Sequence, residues 1–262
     1  MKTRIITGLV LIAIILPCVV IGQIPFQILL GVVAGAAVFE MLSICDRPKA
    51  NIYLYPLVGI FIYYSLFFEG ALLIPSEILI IYLIVLLACS MFDDGMNYLR
   101  LCYYFCAGVL IAMGLHMLYQ LRLTYGFEYI LILALATFGT DTGAYFTGMF
   151  FGKHKLNPRL SPKKTIEGSL GGMLLGTVLS VAYGAYIQVN IPIAILIAVC
   201  FVLTITSQIG DLTFSSIKRT FEVKDYSQLL PGHGGVLDRF DSILFNAMVF
   251  GLLLHFVAMV VA

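Results

Sequence analysis

Charge is what this chain of 262 residues has least of. Asp, Glu, Lys and Arg make up 11% of it and hydrophobic residues 61%, with a mean hydropathy of +1.03. Soluble domains run nearer a quarter charged and about half apolar, so a soluble globule is excluded and lipid is the natural solvent for most of the chain. The net charge of +1 says little beside how the charges are distributed, and no nucleic acid is expected as a partner. Paired cysteine motifs are also missing. Cys18, Cys45, Cys89, Cys102, Cys106 and Cys200 include no CxxC, most lie in apolar runs, and Cys102 and Cys106 stand one helical turn apart. They read as packing residues, not as a metal or redox centre. No small-residue cleavage site follows Val20, so Met1-Lys2-Thr3-Arg4 and the apolar run behind it read as a retained first helix. Internal repeats, coiled-coil heptads and low-complexity linkers are absent as well.

What the chain does have is long apolar runs. About 20 apolar residues cross a hydrocarbon core, and only backbone that bonds itself internally survives there. Segments 5–21, 26–44, 52–68, 74–92, 99–119, 129–151, 170–188, 192–209 and 243–261 qualify. The expected fold is therefore all-α, a polytopic integral membrane helical bundle of about nine transmembrane helices. Pro25, Pro75 and Pro192 stand at or near span starts, where a missing N–H costs least.

Basic residues set the orientation. With nine spans, Lys2, Arg4, Arg47, Lys49, Arg100, Lys153, Lys155, Arg159, Lys163, Lys164, Lys218, Arg219, Lys224 and Arg239 fall on one side, and Arg122 alone falls on the other. The crowded side is cytoplasmic by the positive-inside rule, which puts the N-terminus in and the C-terminus out. A miscounted span would scatter these charges over both faces. The two most polar loops, 152–168 and 215–242, then face the cytoplasm, where a nucleotide is available and anionic headgroups attract cations. Residues 1–95 hold few internal ionisable groups and read as scaffold, whereas 96–262 read as the catalytic region.

The stretch Gly210–Ser242 is the most informative. Asp211 ends the eighth span, and Asp238 and Asp241 open the ninth. Residues three apart on a helix share a face, with Cβ atoms roughly 5–6 Å apart. Asp238 and Asp241 are thus expected to converge on one cation, with Asp211 arriving from a neighbouring helix. Hard oxygen ligands suit Mg²⁺, which keeps waters and takes one or two carboxylates plus substrate phosphates. Between these acids lie Lys218, Arg219, Lys224, His233 and Arg239 and the loop Pro231-Gly232-His233-Gly234-Gly235, whose glycines let backbone N–H groups approach an anion. A charged loop alone reads as a solvated turn. Acids on both flanking spans together with a glycine loop favour catalysis.

A second stretch runs from Thr140 through Asp141, Gly143 and Gly148 to Ser161, Lys163 and Lys164. Asp141 lies roughly three turns inside the sixth span, and a charge there marks function unless it serves a structural pair. Gly143 and Gly148 point to close helix packing. Lys163 and Lys164 suit phosphate oxygens, whereas Lys153 and Lys155 read as topology determinants. Asp93 and Asp94 read as a loop at a span boundary, because the rest of the acidic motif of the CDP-alcohol phosphotransferases is missing. His116 and His255 read as packed histidines. Glu40 is placed at the membrane interface beside Arg47 and Lys49.

Ser215-x-Ile217-Lys218-Arg219, Lys224-Asp225 and Pro231-x-His233-Gly234-Gly235-Val236-x-Asp238-Arg239-Phe240-Asp241 together resemble the signature of the phosphatidate cytidylyltransferase (CDP-diacylglycerol synthase) family. Ser161-Pro162-Lys163-Lys164-Thr165-x-Glu167-Gly168 and Asp141-x-x-Ala144-Tyr145 are similar to that family too. The resemblance covers roughly residues 139–245; the first four spans match in hydropathy and in the opening Lys2-Thr3-Arg4-Ile5-Ile6-Thr7-Gly8. One departure is Phe214, where many bacterial relatives carry an acid.

The resemblance implies CMP transfer from CTP to phosphatidic acid, giving CDP-diacylglycerol and pyrophosphate, with Mg²⁺ as cofactor and a second cation left open. It implies an integral protein of the bacterial inner membrane with its site toward the cytoplasm, and leaves a homodimer open. Asp211, Asp238 and Asp241 are then the metal ligands. With Asp141, Lys218 and Arg219 they make the catalytic set, and Lys163, Lys164, Lys224, His233, Gly234, Gly235, Arg239 and Ser161 bind substrate. A CTP-dependent polyprenol or phytol kinase is the nearer rival, but the full Pro231–Asp241 run favours the synthase. A transporter is the distant rival, and would more often show repeated halves.

Overall fold

Each of the nine apolar segments forms a helix. The computed structural model describes residues 2–45, 52–69 and 72–261, and over these the chain is nearly all helical. In chain order come α1 (Lys2–Ile21), α2 (Gln23–Cys45), α3 (Leu54–Leu66), α4 (Ser76–Phe92), α5 (Tyr98–Tyr125) and α6 (Phe127–Phe151). A hairpin of β1 (Lys155–Asn157) and β2 (Ser161–Thr165) follows, then α7 (Ile166–Tyr186), α8 (Ile193–Thr220) and α9 (Leu237–Val261). Among the described residues, α2, α5, α6, α7, α8 and α9 contain the six stretches long and apolar enough to cross a membrane, and the apolar stretches Ile6–Ile21, Leu54–Leu66 and Ser76–Phe92 are shorter.

Two boundaries move in a way that matters for the site. The eighth helix does not stop at Ile209 but continues through Asp211 and Lys218 to Thr220. The ninth begins at Leu237 rather than near Ile243. The polar loop expected over 215–242 is therefore the shorter segment 221–236. The loop expected over 152–168 is largely an antiparallel hairpin, with Lys155 opposite Thr165 and Asn157 opposite Ser161. Its tip is an Asn turn, Asn157 Oδ1 accepting from Leu160 N at 3.2 Å. Its base is fixed by Glu167, whose carboxylate accepts from Lys153 N (3.0 Å) and His154 N and pairs with His154 Nδ1 (2.6 Å).

The chain divides into two compact units, residues 1–120 with 225–239 and residues 121–224 with 240–262. In the first, α2 packs on α1 and α3, and α3 packs on α4. Phe61 stacks on Tyr82 at 3.8 Å between ring centroids, and Tyr82 donates its hydroxyl to Tyr104 O at 2.7 Å. Asp93 ends α4 as a turn residue, its Oδ1 accepting from Gly95 N at 2.8 Å and its Oδ2 from the Tyr53 hydroxyl, in keeping with the expected boundary loop. His116 is buried, its Nδ1 against Leu66 O at 3.4 Å, as expected of a packed histidine.

The second unit is organised by α7, whose buried face is Gly168, Gly172, Gly176, Ser180 and Gly184 at every fourth position. A face without bulk lets backbones meet, the usual route to tight packing between membrane helices. A Cβ on Gly139 of α6 would stand 3.0 Å from Gly176 Cα, and one on Gly143 would stand 3.0 Å from Gly172 Cα. The Thr165 hydroxyl caps α7 by accepting from Gly168 N at 3.1 Å. Deeper in the unit, Thr206 donates to Asn246 Oδ1 (2.5 Å) and Asn246 donates to Thr137 Oγ1 (2.9 Å), tying α8 and α9 to α6 through a buried polar chain.

Candidate active site

In the second unit the close approach of α6 and α7 leaves a cleft of about 320 Å³ beside the hairpin. Asp141, Tyr145 and Gly148 line it from α6, Lys163, Lys164 and Thr165 from β2, Ser169 from α7 and Gln208 from α8. Ser169 donates to Gln208 Oε1 at 2.5 Å, which holds the amide at the wall of the cleft. Lys164 forms an ion pair with Asp211, both side chains about a quarter exposed. The extra turns of α8 are what bring Asp211 and Lys218 here.

Asp241, on α9, is buried and lies in the electrostatic field of Asp211, Lys218 and Asp141. Its Oδ1 accepts from Ser242 N at 2.7 Å. Lys218 is buried as well. Three acids and two lysines from four different elements thus interact electrostatically or line one cleft. The predicted Asp211, Asp241, Asp141, Lys163, Lys164 and Lys218 all belong to this cleft or its neighbourhood. Ser161 begins β2 opposite Asn157. Arg219 donates to Val223 O at 3.1 Å, closing the end of α8, and Lys224 is exposed.

The glycine loop belongs to the first unit, and several backbone donors in it and just after it are committed within the protein. Asp238 Oδ2 accepts from Tyr226 N (3.0 Å) and Gly235 N (2.9 Å). Glu40, from α2, accepts from Ser227 Oγ (2.6 Å) and Val236 N (2.8 Å) with Oε1 and from Leu237 N (2.7 Å) with Oε2. Arg239 donates from Nε and Nη2 to His233 O at 3.0 and 2.8 Å, and Thr7 donates to Pro231 O at 3.1 Å. Gly234 contributes its carbonyl, which accepts from Leu230 N at 2.8 Å. Within the Pro231–Gly235 loop, Gly235 N is held by the protein's own Asp238 carboxylate and His233 N by Leu230 O.

Glu40 is the residue whose contacts sequence reasoning missed. It is fully buried in the protein, and Arg47 and Lys49, its expected neighbours, lie outside the described residues. The available signal was an ionisable side chain within an apolar span, which calls for a partner. Phe214 is fully buried in α8. His233 Nδ1 is buried without a hydrogen-bond partner among the described residues.

Among the described residues, no three or more His, Cys, Asp or Glu side chains gather closely enough to hold a metal ion by themselves. Asp211 and Asp241 nevertheless fit Mg²⁺: both are hard oxygen donors, their like charges oppose one another, and Mg²⁺ commonly binds through two carboxylates while substrate phosphates complete its shell. Chemically, such a region can align two phosphates and neutralise charge passing between them.

Comparison with known proteins bears on which phosphates these are. The model of a family described as the cytidylyltransferase family matches residues 2–257. A phosphatidate cytidylyltransferase of Bacillus subtilis is 34% identical over 260 residues, 94% of each chain. One from Staphylococcus saprophyticus is 42% identical over 144 residues, 55% of each chain. Another, from Staphylococcus haemolyticus, is 46% identical over 129 residues, 49% of this chain and 50% of its own.

Proposed function

We infer that this chain, which belongs to the cytidylyltransferase family, transfers CMP from CTP to phosphatidic acid and so makes CDP-diacylglycerol and pyrophosphate. The observation that carries this reading is the near full-length likeness to a phosphatidate cytidylyltransferase. The cluster of Asp141, Asp211 and Asp241 with Lys164 and Lys218 supports it. A phosphate oxygen of phosphatidic acid is ionised at neutral pH and attacks the α-phosphorus of CTP. One P–O bond forms, the bond to the β-phosphate oxygen breaks, and pyrophosphate leaves with the charge. No proton has to be removed from the nucleophile. What remains for the protein is alignment and electrostatic stabilisation.

In this proposal Asp211 and Asp241 hold Mg²⁺, and the resemblance assigns Asp238 a part in the same reaction. Bound there, the cation supplies charge neutralisation between the reacting phosphates. Lys164 and Lys218 draw the phosphates toward the carboxylates, Lys163 and Ser161 serve the lipid phosphate at the rim, and Asp141 orients the lysines. Arg219, Lys224 and Arg239 neutralise the triphosphate and the departing pyrophosphate. His233, Gly234 and Gly235 give the loop its shape. The catalytic part extends over 96–262, and all nine helices cross the inner membrane, N-terminus in, with the cleft toward the cytoplasm. A homodimer and a second cation are compatible with this scheme.

The test uses purified protein and CTP labelled at the α- or the γ-phosphate. Label from the α-position should enter the lipid only when phosphatidic acid and Mg²⁺ are present. Transfer of the γ-label to a lipid alcohol would replace this reading with that of a kinase.

A further inference from the structure

A carboxylate buried in an apolar helix is costly unless donors surround it. Glu40 has three, and all come from one short segment: the Ser227 hydroxyl and the backbone N–H groups of Val236 and Leu237. The last two begin α9, where N–H groups lack partners within the helix and the helix dipole favours negative charge. Gly235 is fitted to the same carboxylate. A Cβ there would stand 2.6 Å from Glu40 Oε1 and 2.7 Å from Oε2. Asp238 grips the other side of the turn through Gly235 N and Tyr226 N. The segment between Tyr226 and Leu237 is therefore folded around two internal anions.

From this arrangement we propose that Glu40 is a positioning residue for CMP transfer. It touches no substrate. From α2 it sets the shape of the 226–237 segment and the point at which α9 begins. The inference rests on the reading that this segment serves the transfer, as the roles given to Asp238 and Arg239 require. Glu40 stands 187 to 197 residues before the groups it binds, yet it fixes the backbone of that segment.

Glu40→Gln keeps the size but leaves one oxygen where there were two, and points an amide donor at a backbone donor. In the purified full-length chain, hydrogen–deuterium exchange over 226–237 should rise about tenfold. The kcat should fall by at least about tenfold while KM for phosphatidic acid stays unchanged. Ser227→Ala removes one donor, leaves the carboxylate paired with two amides, and should move both readouts the same way by a smaller factor. It decides the matter if Glu40→Gln does not fold. Unchanged exchange in this segment overturns the proposal, and so does a kcat within about threefold of wild type. Asp238→Asn and Arg239→Gln are measured in parallel. If they abolish turnover while Glu40→Gln does not, only the role of Glu40 fails. If they too leave turnover intact, the segment does not serve the reaction and the inference falls with that reading.

Discussion

His233 is where two chemistries part. It stands in the glycine loop, the natural place for a general base working near pH 7. A side chain acting as base needs a neighbour that fixes its tautomer, and His233 Nδ1 is buried with no such partner among the described residues. Its backbone oxygen is the occupied group, held twice by Arg239. His233→Asn is therefore expected to retain turnover, with a loss below about a hundredfold and little change in the slope of rate against pH between about 6 and 8. Loss of activity together with loss of a limb of the pH–rate profile would mean that the histidine carries a proton. Residues of this kind were legible in part. Asp211, Asp241, Lys164 and Lys218 announced themselves as charges where charge is scarce. Glu40 gave the same signal, but its partners did not, because they are mainly backbone amides, which every residue but proline carries and which leave no letter in the sequence.

At the scale of elements, the apolar runs placed the nine helices seen among the described residues, because long runs with so few charges are a strong signal and lipid favours backbone that bonds itself. The ends were harder. Hydropathy falls after Ile209, yet α8 continues to Thr220, with Asp211 paired to Lys164 and with Lys218 buried. The hairpin was missed for a different reason: strands as short as Lys155–Asn157 and Ser161–Thr165, rich in lysine and containing proline, show no alternation. The glycine face of α7 was legible at a spacing of four, but only Gly143 and Gly148 on its partner drew notice. That face makes a specific demand. A Cβ at Gly172 would stand 3.1 Å from Ala144 Cβ and 3.2 Å from Ala144 N, so Gly172→Val must push α6 away. Thermal unfolding in detergent should show a loss of about 1–3 kcal/mol. Leu174→Ala, at a position 70% exposed, should change the midpoint little. A wild-type midpoint for Gly172→Val would mean that α6 and α7 do not meet as described.

The whole molecule carries its orientation in its charges, an inference that packing does not replace. In a background without native cysteines, a cysteine at Ser161 should react with impermeant thiol reagents only from the cytoplasmic side, and one at Glu77 only from the other. Labelling of both from one face would mean that the number of crossings between them is even. One further consequence follows from α3. Its 13 residues rise about 20 Å, whereas the hydrocarbon core is about 30 Å thick. In the proposed nine-span topology, a helix that short meets a bilayer too thick for it, and the mismatch would be relieved by thinning the lipid around it or by drawing flanking residues inward. The surrounding acyl chains would then be under strain wherever α3 faces them. The enzyme would sit in a dimple of its own making, and the thickness of its host membrane becomes a variable that acts on it.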